Sequence, residues 1–556
     1  MRRMHWMALI LLAGLFAQGQ SRPVSPAGYS ISGIVVSAQG EQPLPHMQVM
    51  VGHAEAQGAL HAVVSGDDGR FQFTGLPAGK YWLAAEGIGF ARQNFDEHEG
   101  FFTGIVVGPN IDSAGLVFRV RPDCSIAGSV TDDLNDPVRQ AQVMLFRRGV
   151  VNGKQGTTQQ TGAVTDAAGH YRFSHLRPGT YFVAVSTQPW YAQNQQATTQ
   201  VTEQVAAQVA ASGSSDVGRG EERLATEERP APELDVTYPV TFYSGTTETA
   251  DATPLDLKSG DRVTADLTLT PVPAVRLRVD YSGLNAESAS ATLVRRLFDF
   301  QEQVAAGTTE IHDKEVELSG VAPGRYELTV STFGKTSRQW TQTVDVAGDT
   351  RVSARRGSGP VAVSGVVKTD GGMVIPARAQ VTLRSIVSGD VVSATIAASG
   401  EFQFGESSMR PSKYEVQVLN FRDALVSSVT AANYKVDNQS VEITGAGVVR
   451  LVVTVSQRLG NVDGIARHDG KPVAGAMVVL APRDLTATTR FRRDQSDSDG
   501  SFSLRGALPG KYTVVAIENG WDVEWLNPAV MKTYLKDGID IEVTPQGKYK
   551  VEAKVQ

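Results

Sequence analysis

The segment Phe71-Gln72-Phe73-Thr74-Gly75-Leu76-Pro77-Ala78-Gly79-Lys80-Tyr81 recurs with variations along the chain. Its aromatic–polar–apolar triplet alternates with period two, which is typical of a half-buried β-strand. The Pro and Gly that follow suit a type II turn, in which glycine supplies the positive φ. A tyrosine just after such a turn can bury its ring while its hydroxyl bonds to nearby backbone. The segment therefore predicts a strand, a turn and a second strand that starts near the tyrosine.

Four copies of this segment keep the same spacing, and a further copy is degenerate. In the four, ten residues separate the first apolar residue from the tyrosine, and the turn glycine is present. The copy at 402–414 is longer and has lost that glycine. The turn glycines and tyrosines of the four copies form a structural turn signature: Gly79, Tyr81, Gly179, Tyr181, Gly324, Tyr326, Gly510 and Tyr512.

Further signals flank the repeated segment. An Asp/Gly turn precedes the triplet in three copies, at 67–69, 166–169 and 497–500, and predicts a hairpin there. Four copies open upstream with a strand that contains a glycine, whereas the third copy starts at Val275 without one. Together these signals predict a tandem array of about five similar all-β modules.

The spacing of the tyrosines places the module boundaries and indicates one long insertion. Residues 192–237 contain no aromatic residue, and their polar and charged composition predicts a mostly disordered insertion at 192–235. The predicted organisation is a signal peptide at 1–19 and modules at 28–120, 121–271 (with the insertion), 272–357, 358–457 (the degenerate copy) and 458–556.

The first twenty residues have the features of a secretory signal peptide. Arg2 and Arg3 precede an apolar run that ends near Ala17, and small residues follow at the spacing of a cleavage site. The run is too short to cross a bilayer, which needs about 20 residues. We therefore expect an exported protein (periplasmic, outer-surface or extracellular) without a membrane span.

Composition excludes several classes of protein. Apolar residues are 41% and charged residues 20% of the 556, which excludes wholesale disorder. The net charge of −7 argues against a nucleic-acid partner. Cys124 is the one cysteine, so no intramolecular disulfide and no Cys-rich metal site can form. Aromatic residues are only 7%, which is low for a dedicated sugar-binding surface.

The order of these signals resembles a known domain family. A glycine-containing opening strand is followed by Pro472-Val473-Ala474-Gly475-Ala476-Met477-Val478, then by the Asp/Gly turn and the Leu-x-Pro-Gly-x-Tyr segment. This order resembles the carboxypeptidase regulatory-like domain, and it extends from about Gly28 to the C-terminus. The segments 241–247 and 520–525 are also similar to exported multi-module proteins of Acidobacteria-type genomes.

The resemblance implies the fold. It predicts seven-stranded transthyretin-like β-sandwich modules (also called prealbumin-like), related to the carbohydrate-binding-like and Cna-B-like folds. The family signature marks a fold and carries no catalytic residue. The match is weaker in the third module, which lacks the Asp/Gly turn, and in the fourth, which lacks the turn glycine.

Patterns with catalytic chemistry are weak in this sequence. His312 and Glu315 have the His-x-x-Glu spacing of a zinc peptidase, but they sit inside the strand pattern of the third module. The turn at 497–500 has part of a calcium loop, yet Gln495 and Gly506 occupy the positions of two essential ligands. Cys124 fits a buried, inert thiol better than a redox group. We predict no enzyme, no cofactor and no metal site.

Binding functions remain open. Sugar rings could stack on Trp190 and Tyr191 beside the insertion, or on Trp521 and Trp525 near the C-terminus. The plainer alternative is that Trp521 and Trp525 share one helical turn and cap the last sandwich. Exposed edge strands could also pair with a partner strand.

The sequence therefore favours an exported, non-enzymatic β-sandwich repeat protein that acts as a binding or structural module of the cell envelope or extracellular space. The alternatives are a carbohydrate-binding protein at the cell surface and a carboxypeptidase-associated protein. The partner is an unknown envelope protein or polysaccharide.

Overall fold

The computed structural model describes residues 28–54, 60–111, 113–193, 231–283, 286–311, 314–333, 338–354, 361–370, 372–386, 389, 391–405, 412–443 and 447–556. The predicted signal peptide (1–19) lies outside the described residues, as does 194–230 of the predicted insertion. Nearly all regular secondary structure of the described chain is β-strand, and none of its helices has the length and apolar character needed to cross a bilayer.

The first sandwich shows the arrangement that the others vary. One sheet has the strand order β4-β1-β8, in which β1 and β8 run parallel. The other has the order β3-β2-β5-β6, with β7 also paired to β5. The strands are β1 (Tyr29–Ser37), β2 (Gln48–His53), β3 (His61–Val64), β4 (Arg70–Leu76), β5 (Gly79–Gly87), β6 (Phe90–Asn94), β7 (Ile105–Val107) and β8 (Leu116–Val120).

The repeated segment is a corner between the two sheets. Its triplet lies in β4 and its tyrosine in β5, and these strands belong to opposite sheets. The Asp/Gly turn before it also joins opposite sheets, since β3 and β4 do not pair. The hairpin prediction is therefore wrong. The type II turn is also wrong in detail, because Gly79, Gly179 and Gly510 have φ of 156°, 150° and 154°, far from the +80° of that turn.

The tyrosine of the turn signature forms a hydrogen bond within its own corner. The hydroxyl of Tyr81 donates to the carbonyl of Pro77 (3.0 Å), and that of Tyr181 to the carbonyl of Arg177 (2.7 Å). The third and fifth copies make the same bond, from Tyr326 to Ala322 and from Tyr512 to Leu508, each at 2.7 Å. The rings are buried, as the sequence predicted, and burial raises the tyrosine pKa in each case.

Glycine in the opening strand permits close approach of the last strand. A Cβ on Gly33 would lie 2.3 Å from the carbonyl oxygen of Leu116 on β8, and one on Gly464 would lie 2.3 Å from that of Val551. Gly128 and Gly365 have the same relation to a neighbouring carbonyl oxygen, at 2.1 Å and 2.2 Å. The opening glycine is therefore a packing requirement of the parallel strand pair.

In the second sandwich, residues 194–230, which lie outside the described residues, separate β13 from β14 in the sequence. One sheet has the order β12-β9-β17, with β18 also on β9, and the other β11-β10-β13-β15, with β16 on β13; β14 and β19 form a small sheet. The strands are β9 (Cys124–Asp132), β10 (Gln142–Val151), β11 (Lys154–Val164), β12 (His170–Leu176), β13 (Gly179–Ser186), β14 (Val236–Thr237), β15 (Thr241–Phe242), β16 (Leu255–Leu257), β17 (Arg262–Thr264), β18 (Leu267–Leu269) and β19 (Val272–Pro273).

The third sandwich pairs the sheets β23-β24-β20-β27 and β22-β21-β25-β26. Its opening strand β20 again lies between an antiparallel and a parallel neighbour. The strands are β20 (Val275–Asp280), β21 (Ser288–Leu297), β22 (Phe300–Gln303), β23 (Gly307–Ile311), β24 (Glu315–Val321), β25 (Gly324–Phe333), β26 (Arg338–Val346) and β27 (Thr350–Ser353).

The fourth sandwich pairs the sheets β31-β28-β36-β33 and β30-β29-β32-β35-β34. The middle of its repeated segment, 406–411, lies outside the described residues. The strands are β28 (Val361–Thr369), β29 (Gln380–Ser385), β30 (Val391–Thr395), β31 (Glu401–Gln403), β32 (Ser412–Leu419), β33 (Leu425–Ala431), β34 (Val436–Asp437), β35 (Ser440–Ile443) and β36 (Gly447–Ser456).

The fifth sandwich carries a helical segment between its last strands. Its sheets are β38-β37-β41, with β44 on β37, and β40-β39-β42-β43. Helix α1 (Pro528–Tyr534) is capped by the side chain of Asn527, which accepts from the N–H of Ala529. The strands are β37 (Gly460–His468), β38 (Lys471–Pro472), β39 (Met477–Pro482), β40 (Arg492–Gln495), β41 (Ser501–Ala507), β42 (Gly510–Ile517), β43 (Ile539–Val543) and β44 (Lys548–Lys554).

Buried apolar residues form a separate core in each sandwich. The cores lie within 31–120, 124–269, 275–354, 361–455 and 462–555, and each draws on both sheets. Two further apolar clusters lie outside them. One is shared by the second and third sandwiches and includes Phe146, Phe242 and Phe298. The other covers the outer face of the fifth sandwich and includes Trp521 and Met531.

Candidate functional site: the contact between the first and fifth sandwiches

The first and fifth sandwiches pack against each other, although most of the chain lies between them. The first sandwich contributes Lys80 on β5 and residues 96–106, which lead into β7. The fifth contributes residues 493–498, at the end of β40 and in the Asp/Gly turn, together with Trp521. We call this surface the closing contact, because it joins the first folded unit to the last.

The Asp/Gly turn of the fifth sandwich binds the edge of the first. The Asp497 carboxylate accepts from the N–H of Gly104 (3.0 Å) and pairs with the Lys80 ammonium (2.8 Å). The N–H of Ser498 donates to the carbonyl of Gly104 (2.9 Å), and its hydroxyl accepts from the N–H of Val106 (2.9 Å). These bonds extend the edge of the first sandwich much as an added strand would.

Burial alters the protonation of this turn. The Asp497 side chain is only 5% exposed. Desolvation raises the pKa of Asp497 to about 6, even though Lys80 and the Gly104 N–H favour its charged form. The carboxyl of Asp494 is half-buried, and desolvation raises its pKa as well. The closing contact therefore binds protons more readily than ordinary carboxylates would.

Two side chains of β40 complete the polar part of the closing contact. The amide of Gln495 donates to the carbonyl of Asp96 (2.6 Å) and to the hydroxyl of Thr103 (2.8 Å). The guanidinium of Arg493 donates to the carboxylate of Glu99 (2.9 Å). Burial lowers the pKa of Arg493, and Glu99 opposes that effect.

Aromatic rings form the apolar part. Trp521 is 6% exposed, stacks on His98 with 5.2 Å between ring centres, and also contacts Phe101 at 5.4 Å. Its indole N–H donates to the carbonyl of Gly475 (3.2 Å). The Arg493 guanidinium lies 4.2 Å from the ring centre of Trp525. In this arrangement the Trp521 ring is buried, and the Arg493 guanidinium lies over one face of the partly exposed Trp525 ring.

The other predicted stacking pair is exposed. Trp190 is 81% exposed and meets Tyr191 edge-to-face with 5.8 Å between ring centres. The pair lies between β13 and the segment outside the described residues. Trp521 and Trp525 do not share one helical turn as the alternative interpretation expected, since Trp521 is in a short 3-10 turn (Gly520–Asp522) that ends before Trp525.

The residues considered for metal chemistry have other roles. Glu315, at the start of β24, pairs with Arg351 on β27, while His312 lies outside the described residues. Within the described ranges, no group of three or more His, Cys, Asp or Glu side chains is arranged to hold a metal ion. Cys124 is a free, fully buried thiol, and desolvation raises its pKa.

The second sandwich also contacts other sandwiches of the chain. The tip of its long β10–β11 hairpin reaches the fifth sandwich, where the Gly153 carbonyl accepts from the N–H of Leu526 (3.1 Å). Farther along the hairpin, the N–H of Thr157 donates to the carboxylate of Asp299 on the third sandwich (2.8 Å). This hairpin therefore contacts two other sandwiches.

The sequence patterns gave no indication of the closing contact. Lys80, Gln495 and Arg493 lie at positions that look like ordinary solvated strand residues. The Asp/Gly turn at 497–500 was recognised, but as a local turn. The available signal was a difference between repeats: Asp497-Ser498-Asp499-Gly500 stands where the second module has Asp166-Ala167-Ala168-Gly169.

Comparison with protein families matches two copies of the repeat. Residues 30–109 and 125–212 each match the model of the carboxypeptidase regulatory-like domain. The resemblance seen in the sequence is confirmed for these two segments. They cover the first sandwich through β7, but not β8, and the beginning of the second, including the first two copies of the corner. A search of curated proteins gives no match.

Solved structures with a similar course of the chain come from bacterial proteins. The Bacillus anthracis TIE protein is 10% identical, with 78% of this chain and 69% of that chain covered and a TM-score of 0.16. A streptococcal ancillary pilin is 12% identical, with 51% and 99% covered and a TM-score of 0.19. The minor pilin of Streptococcus agalactiae is 12% identical, with 44% and 97% covered and a TM-score of 0.20. At such values the likeness carries no argument about function.

Proposed function

We propose that the chain is an exported, non-enzymatic repeat protein with five modules, bounded as the sequence analysis has them. We further propose that it serves as a structural or binding module of the cell envelope or extracellular space. The closing contact is the observation that carries this proposal. It uses Asp497, Arg493 and Gln495 to hold sandwiches together, which is the role expected in a structural array.

Cell fractionation tests the location. The full chain and a version without residues 1–19 are expressed in a Gram-negative bacterial host. The full chain is expected in the periplasmic, membrane-associated or culture fraction, and the shortened chain in the cytoplasm. Equal distribution of the two versions would contradict export.

An activity test addresses the absence of catalysis. The purified chain is loaded with zinc and incubated with a peptide library, beside a Glu315→Ala variant. We expect no turnover in either sample and no stoichiometric zinc. Hydrolysis that is lost in Glu315→Ala would overturn the non-enzymatic assignment and favour a carboxypeptidase-type function.

A second candidate function is carbohydrate binding through Trp190 and Tyr191. The exposure of Trp190 and its edge-to-face contact with Tyr191 favour it, since sugars stack on exposed aromatic faces. The test is a polysaccharide pull-down with Trp190→Ala, and with Leu134→Ala as the control because Leu134 is also an exposed apolar residue. Binding that is lost only in Trp190→Ala would support this candidate, and absence of binding would remove it.

A further inference from the structure

A cavity of about 570 Å³ lies where the first and second sandwiches meet. It is lined by β6 and the residues after it, by the linker 121–123, and by the corner 175–178 of the second sandwich, with Ala474 of the fifth at its border. Its volume is in the range of small-ligand sites, which occur preferentially where domains meet. None of the functions considered so far uses this cavity.

The corner of the second sandwich departs from the repeat at the cavity. Gly75, Gly320 and Gly506 occupy one position of the corner in the first, third and fifth sandwiches, with φ of 74°, 74° and 71°. The second sandwich has His175 there, with φ of 58°. Side chains rarely adopt this backbone conformation, and such residues concentrate at functional sites.

A second residue of the same corner is also exceptional. Arg177 stands where the other copies have Pro77, Ala322 and Leu508. Its guanidinium donates to the Glu97 carboxylate (2.5 Å). Desolvation opposes the charged form of Glu97, but the Asn94 N–H and Arg177 outweigh it and lower the pKa of Glu97. The second sandwich therefore presents two basic residues to the first at this corner.

The acidic groups of the cavity are already occupied. Asp123 accepts from the N–H of Ala91 (2.7 Å) and meets the imidazole of His175 (2.5 Å). Glu97 accepts from both Asn94 and Arg177, and Asp96, the third acidic residue of the lining, accepts from the Thr103 hydroxyl (2.9 Å). These carboxylates therefore have partners without any ligand.

Two arginines of the cavity are not neutralised in this way. Among the described residues, neither Arg92 nor Arg121 has a carboxylate partner, and the Arg92 guanidinium lies 5.4 Å from the ring centre of Trp82. The backbone of Arg121 is fixed by the Gln93 side chain, which accepts from its N–H (3.0 Å) and donates to its carbonyl (2.8 Å). The backbone of the linker is thus held in place at Arg121, whose side chain is exposed.

We propose that this cavity binds a small ligand through an oxyanion group, a carboxylate or a phosphate, held by Arg92 and Arg121. Guanidinium groups suit both because their N–H donors match paired oxygen acceptors. His175 positions the site by holding Asp123, and through it the end of the linker. The proposal does not depend on the location or the structural role proposed above.

Calorimetric titration of the full chain tests it with two probes. Trigalacturonate supplies carboxylates and inorganic phosphate supplies phosphate, with the neutral trisaccharide maltotriose for comparison. We expect millimolar or tighter binding of at least one anionic probe, weakened by added salt, and no comparable binding of maltotriose. The probe that binds more tightly identifies the oxyanion.

Affinities of arginine variants distinguish binding in this cavity from a nonspecific attraction of anions to the charged surface. Arg92→Gln and Arg121→Gln are expected to weaken binding at least tenfold, and both side chains are exposed, so the fold should be retained. His175→Gly restores the residue of the other corners and is expected to weaken binding at least threefold. Arg325→Gln, an exposed arginine of the third sandwich, is the control.

Two results would overturn the proposal. One is the absence of binding by both anionic probes at millimolar concentration. The other is an affinity that is the same in wild type and in the Arg92→Gln/Arg121→Gln double variant, or that falls equally in Arg325→Gln.

Discussion

Replacing Asp497 with asparagine should change how stability depends on pH. The folded chain holds the pKa of Asp497 at about 6, against an ordinary value of 3.8. Because the pKa is raised, the folded state binds a proton more tightly than the unfolded state does. This carboxyl therefore destabilises the fold above pH 6, and the destabilisation is relieved as the pH falls from about 6 towards 4.

The size of the effect follows from the shift. Each pKa unit corresponds to about 1.4 kcal/mol, so the full shift is worth about 3 kcal/mol, of which about 2 kcal/mol falls between about pH 7.5 and pH 4.5. Asparagine is neutral at every pH and keeps an oxygen that can accept from Gly104. Between about pH 7.5 and pH 4.5, the free energy of unfolding of wild type should therefore rise by about 2 kcal/mol more than that of Asp497→Asn.

Urea unfolding followed by tryptophan fluorescence measures this difference, because Trp521 lies in the same contact. Asp499→Asn is the matched control, since Asp499 lies on the same turn and, among the described residues, its side chain accepts from the neighbouring Ser501 N–H alone. Its profile should run parallel to that of wild type. A constant difference between wild type and Asp497→Asn across the pH range would refute the reasoning.

Three further predictions concern packing. Gly464→Ala should destabilise the fifth sandwich by about 1–3 kcal/mol, because the new Cβ would meet the Val551 carbonyl. Gly149→Ala should have little effect, because no atom lies within 4 Å of the position of its new Cβ. Thermal unfolding of the two variants measures the difference. Trp521→Ala should cost about 3–5 kcal/mol in urea unfolding, and Trp190→Ala less than about 0.5 kcal/mol, since only the first ring is buried. Cys124 should react with a thiol reagent only after denaturant is added, and rapid labelling of the native chain would contradict its burial.

The fold could be predicted because its signals are local. The triplet, the Pro/Gly corner and Tyr81 lie within eleven residues, and the hydroxyl bond to Pro77 joins residues four apart. The opening glycine was visible as a repeated residue, although its reason was not, since Leu116 and Val551 are far along the chain. Pairing of strands was harder to foresee. A local turn signal does not say whether the next strand continues the same sheet or crosses to the other.

The closing contact could not be predicted for a related reason. Lys80 and Asp497 are distant in sequence, and residues of the same type stand at the equivalent positions of other copies (Lys511 and Asp166), so repetition does not single them out. Trp521 shows the difficulty, because an aromatic residue beside a terminal strand reads equally as a sugar platform or as a packing residue. Only the position of the first sandwich against its ring distinguishes the two.

The closing contact also limits which gains and losses of repeats this chain could tolerate during evolution. An array whose repeats touch only their neighbours can gain or lose a unit at an end and remain folded. Here the removal of either terminal sandwich would strip the partner from Asp497 or from Lys80, and an added unit would have to be accommodated without separating them. Loss of the first or the fifth sandwich would therefore require a compensating change at Lys80 or Asp497.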